Sequence, residues 1–101
     1  MDTPKLPKIK VENMQSPNGN DVPNQFIIRF ENMSYFQSYD SIIACLVQEK
    51  GKFTETIYLD KRYWDYSVTT GKYRNMFLGM NKKEIQEMIN SGDIQLVNLN
   101  E

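Results

Sequence analysis

From Gln25 to Leu59 the chain alternates or runs apolar in short bursts, and after Leu59 the period lengthens to that of a helix. Gln25-Phe26-Ile27-Ile28-Arg29-Phe30 places Phe26, Ile28 and Phe30 on one side of an extended segment. Glu31 to Ser34 reads as a hairpin connection into a strand over Tyr35–Tyr39. Ser41–Val47 is a nearly continuous apolar run, as expected of a central strand covered on both sides. Lys50-Gly51-Lys52 then turns the chain into Phe53–Leu59, with Phe53, Ile57 and Leu59 on one face and Thr54, Thr56 and Tyr58 on the other.

Tyr73, Met76, Phe77 and Met80 recur at i, i+3, i+4 and i+7, which predicts a short helix ending at Leu78. Thr69 or Thr70 is its candidate N-cap, and Gly79 suits the left-handed position that follows. Asn81 to Glu84 has the form of a capping box, and Ile85, Met88 and Ile89 form the apolar stripe of a second helix that stops before Ser91-Gly92-Asp93. Ile94–Leu99 is a last strand. All four prolines fall within the first 24 residues, so that stretch is expected to be mostly irregular, apart from a short edge strand at Lys8–Glu12. Ser16 to Asp21 has turn chemistry and is expected to form a mobile loop. The predicted architecture is α+β: an antiparallel sheet of about five or six strands with two short helices on one face. Residues 1–7 form a flexible arm and residues 8–101 a single domain.

Composition narrows the chemistry. The chain has no histidine, which removes the usual general base near neutral pH and the usual zinc ligand. Its one cysteine, Cys45, lies within the apolar run and reads as core rather than nucleophile. No paired carboxylates, nucleophile or ligand set fixes a reaction, so the reading is of a protein without enzymatic activity, cofactor or metal. No apolar run approaches the length needed to span a bilayer, and the N-terminus lacks the apolar core of a secretory signal, which points to a cytoplasmic protein with no membrane partner.

Charge is unevenly spread. Between Lys61 and Lys83 six cations face Asp65 alone, a net charge of +5, which leaves −6 on the rest of a chain whose total is −1. The same region holds Tyr63, Trp64, Tyr66, Tyr73 and Phe77. Trp64 and Phe77 are expected to help fill the core, and Tyr63 and Tyr66 to reach the surface. Lys61, Arg62, Tyr63, Tyr66, Lys72 and Arg74 are therefore the candidate partner-binding residues, with the two cationic pairs brought onto one surface by the strand-to-helix corner. Thr69-Thr70-Gly71-Lys72 before a helix is a candidate anion contact, although it lacks the full phosphate-loop pattern.

The chain resembles a family of small uncharacterised proteins from phages and mobile elements of Gram-positive bacteria. The resemblance runs over about residues 9 to 99. It is carried by Asn24-Gln25-Phe26-Ile27-Ile28, by Tyr35-Phe36-Gln37-Ser38-Tyr39 with Ser41-Ile42-Ile43-Ala44, and by Tyr58-Leu59-Asp60. It continues through Tyr63-Trp64-Asp65-Tyr66-Ser67, Thr69-Thr70, Lys72-Tyr73-Arg74-Asn75 and Phe77-Leu78-Gly79. It implies a phage-type accessory gene and transfers no catalytic residue. The expected function is binding of a host protein, with inhibition of an antiviral defence as one such role. The alternative is a nucleic-acid-binding module using residues 61–83, against which the acidic pI of about 5.5 weighs.

Overall fold

A computed structural model describes residues 3–100 of the chain. Its strands are β1 (Ile9–Gln15), β2 (Asp21–Phe30), β3 (Met33–Ser38), β4 (Ser41–Gln48), β5 (Glu55–Asp60) and β6 (Ile94–Val97), with α1 (Val68–Leu78) and α2 (Lys82–Ser91) between β5 and β6. The six strands form one sheet in sequence order. This is the expected α+β arrangement, with a difference at its end. β1 to β5 are antiparallel neighbours, but β6 pairs with β5 in parallel, because the two helices carry the chain back before it re-enters the sheet.

The N-terminal region is more regular than its prolines imply. β1 and β2 form a long hairpin, closed by Ser16 N–H to Asn20 O at 2.8 Å and Gly19 N–H to Ser16 O at 2.8 Å, with Gly19 at φ 83°. The expected loop is thus a hydrogen-bonded turn, and β2 begins at Asp21 rather than Gln25. Residues 3–8 carry no strand, and the first two residues of the predicted arm lie outside the described residues. Tyr39 leaves the strand and takes φ 56° in the turn before β4. Phe53, expected to share a strand face with Ile57 and Leu59, precedes β5 and is fully exposed.

Register decides which side of the sheet each residue faces. Ile27, Phe36, Ala44 and Leu59 lie in one cross-strand row, and Ile57 and Ile94 in the next. Pairing shifts between Phe36↔Ala44 and Gln37↔Ile42, so Ile43 is bulged out of register and, fully buried, joins the core. The helices cover this side: Tyr73 of α1 and Ile85 of α2 are buried in the same cluster. Phe77 is half-buried, with its ring 6.0 Å from that of Phe36.

The helix ends follow their capping chemistry. Asn81 and Glu84 form the capping box, and Gly79 adopts φ 69°. α1 starts earlier than expected, because Ser67 Oγ accepts Thr70 N–H at 3.1 Å and is the N-cap in place of Thr69 or Thr70. No helix among the described residues is long and apolar enough to cross a membrane.

Candidate functional site

β5 ends at Asp60, and the seven residues before α1 carry most of the sequence's candidate binding groups. Asp60 sits at the strand end and is almost wholly buried. Its Oδ2 accepts the backbone N–H of Arg62 at 3.0 Å and of Tyr63 at 2.9 Å, and its Oδ1 accepts that of Leu99 at 2.8 Å. Burial alone raises this carboxyl's pKa; the N–H donors outweigh it, so the group lies below its ordinary value. One carboxylate thereby holds the turn at residues 61–63 to the segment that follows β6. Lys61 N–H to Val97 O at 2.8 Å adds a second tie.

The far end of the loop is held by a buried cation. Arg74, on the inner side of α1, is 1% exposed. Its guanidinium donates to the Trp64 carbonyl, to Asp65 Oδ1 at 3.3 Å and to Asn75 Oδ1 at 2.9 Å, and lies 5.2 Å from the Trp64 ring centre. Lys82 of α2 reaches the other oxygen of Asp65 at 2.7 Å. Lys82 and Arg74 together hold the Asp65 carboxyl below the usual carboxylate range. The planar, multi-donor guanidinium is suited to this interior role in a way that an ammonium is not.

These contacts redraw the predicted surface. Arg74 is a structural clamp, not a partner-binding side chain, because every one of its acceptors is internal to the loop and helix. Lys61, Arg62, Tyr66 and Lys72 remain exposed, and Tyr63 is half-buried against the core. Tyr63 and Tyr66 meet edge to face with ring centres 5.6 Å apart, and Arg62 stacks 5.9 Å from the Tyr63 ring. The cations do not share one surface: Lys61, Arg62 and Tyr63 line a recess of about 260 Å³ with Asn98 and Asn100. Lys72 lies in a separate shallow groove beside Asp65, Val68 and Lys82. Among the described residues Lys61, Arg62 and Lys72 form no ion pair.

The anion contact is not assembled either. Thr70 is fully buried, its N–H is taken by Ser67 and its hydroxyl meets Ser38 Oγ at 2.9 Å. Gly71 N–H bonds the Ser67 carbonyl, so of the four residues only Thr69 and Lys72 face outward. Cys45 is buried, and desolvation raises its thiol pKa, which keeps it unreactive. The residues that sequence reasoning missed are the two braces. Asp60 had a signal, since an Asp at a strand end before a turn commonly accepts the backbone N–H groups two and three residues on. Arg74 had none, because nothing in its neighbours separates a buried guanidinium from a solvated one.

The chain matches a family of unknown function (DUF8033) over residues 9–94, a span from the start of β1 to the start of β6, and it belongs to that family. No curated protein and no solved structure gives a significant match.

Proposed function

We propose that the protein is a non-enzymatic accessory protein of a phage or mobile element that acts inside the bacterial host cell by binding a host protein, with an antiviral defence component as the target class. The observation that carries this reading is the bracing of the loop at residues 61–67. Two buried charged groups, Asp60 and Arg74, fix its backbone from opposite ends while Lys61, Arg62 and Tyr66 point outward. A loop held in one conformation loses little entropy on binding, and Arg and Tyr are the side chains that most often dominate an interface. The unpaired cations select a partner surface with acidic groups.

The test is affinity capture from lysate of a Gram-positive host with and without nuclease, comparing the wild type with the double variant Arg62→Glu, Tyr66→Ala. A host protein retained by the wild type after nuclease treatment and lost by the double variant supports the reading. Capture that disappears with nuclease, together with affinity that falls steeply with salt, would transfer the function to nucleic-acid binding. Identical capture by both proteins would remove the loop from the interface.

A further inference from the structure

The sheet has a second face, polar at Asn13, Gln37, Thr56 and Gln95 but apolar through its middle, where a solvated face is normally polar. Val11, Ile28, Tyr35, Cys45 and Tyr58 lie in one cross-strand row on the side away from the helices. Every sheet residue of the helix-covered core lies in the opposite rows, and none of these five belongs to that core. In β2 the contrast is sharpest. Gln25, Ile27 and Arg29 face the helices, while Phe26, Ile28 and Phe30 face outward. An antiparallel sheet with one wet side normally shows polar residues there. Here the charged residues in the outward rows are Asp60, whose carboxylate is buried beneath residues 61–63 and Leu99, and Asp21, which lies at the hairpin end of the face and accepts Gln15 Nε2 at 3.3 Å.

We propose that this open face is the interface of a homodimer, packed sheet to sheet against a second copy of the same chain about a twofold axis. Two features select a second copy over a different partner. The middle of the face offers no exposed charge, its one exposed charged strand residue, Asp21, lying at the hairpin end, so it has little with which to recognise an oppositely charged surface, and its centre meets itself without like-charge repulsion. The chain also has surface to spare. The chain exposes 7140 Å². An 11.9-kDa monomer is expected to expose about 5,950 Å². The excess of about 1,200 Å² belongs to the whole chain, with the exposed residues 3–8 contributing to it, and is larger than the roughly 800 Å² per partner that a standard interface removes. A radius of gyration of 14.6 Å, against about 12.7 Å for a compact domain of this length, shows the same departure from a compact shape. On the face a recess of about 150 Å³ lined by Tyr35, Ile42, Cys45 and Leu99 can receive an apolar side chain from the facing sheet. Sheets stacked this way sit about 10 Å apart with interdigitating side chains.

The test is sedimentation velocity on the full chain from about 1 to about 100 µM, where a dimer of ordinary affinity forms. The wild type should sediment at twice 11.9 kDa at the upper end. Ile28→Lys places a charge in the middle of the face and should weaken the dimer roughly 100-fold or more. Val11→Lys lies at a position already 61% exposed, so it leaves folding intact and should weaken the dimer independently of any loss of stability. Lys83→Glu, exposed on α2 on the helix-covered side of the sheet, should leave the dimer unchanged. A wild type that stays monomeric at the highest concentration overturns the proposal. So does a dimer that survives both lysine variants when circular dichroism shows them folded, or an assembly that grows beyond two copies.

Discussion

Replacing Asp60 with asparagine tests the frame of the loop with a change of almost no volume. The carboxylate accepts three backbone N–H groups through two oxygens. An asparagine has one acceptor oxygen; if it keeps Arg62 and Tyr63, its NH₂ faces Leu99 N–H donor to donor. Hydrogen bonds to a charged acceptor contribute about 1.5–3 kcal/mol, and a buried donor left unmet costs about 1–3 kcal/mol, so Asp60→Asn should lose about 2–4 kcal/mol. That is a large fraction of the stability of a domain this size. Urea unfolding followed by circular dichroism should show the midpoint fall by about 2 M with little change in slope. The pH dependence carries the sign. A carboxyl whose folded pKa lies below its unfolded value of about 3.9 adds stability that is complete above the unfolded pKa and lost as pH falls through the folded one. The gap between wild type and variant should therefore be full near neutrality and close below about pH 4. A variant within about 0.5 kcal/mol of wild type at pH 7, or a gap that persists unchanged into strong acid, would refute the bracing role.

Two further substitutions probe the buried polar groups. Arg74→Lys keeps the charge but cannot reach the Trp64 carbonyl, Asp65 and Asn75 together, so it should cost about 2–3 kcal/mol in a thermal or urea melt; an unchanged melting temperature would return Arg74 to the surface. Gln25 is fully buried with neither side-chain polar atom bonded among the described residues, so Gln25→Met should leave stability equal or raise it by about 1 kcal/mol. A loss of comparable size would show that ordered water satisfies the amide.

Where the sequence could be read, the reason was local chemistry. The capping box at Asn81 and Glu84 and the left-handed Gly79 depend on residues within one turn of each other, and both stand where the pattern puts them. The apolar run at β4 is a central strand, between β3 and β5, but the helices cover only one of its faces and not both as the run suggests. Errors arose where partners are distant in sequence. The parallel pairing of β5 with β6 depends on the path of two helices, which no periodicity records. Phe53 continues the alternation of Ile57 and Leu59, but no partner residue on β4 lies opposite it, and the strand starts two residues later.

The candidate site was harder to read for a different reason. A count of cations along residues 61–83 measures composition, whereas a binding surface depends on which of those cations are still available after folding. Arg74 is spent inside the protein and Lys82 is paired with Asp65, so two of the six charges that made the segment distinctive serve the loop's own structure. Those internal pairs also help to fix the backbone that displays Arg62 and Tyr66, so the charge enrichment is in part structural and not wholly available to a partner. The same argument applies to the apolar rows of the sheet. Alternation located Phe26, Ile28 and Phe30 on one side of β2, yet only the register with β3 shows that Ile27 on the other side packs under the helices. The most apolar side of that strand therefore faces away from the chain's own core, and it is this side that the proposed dimer would cover.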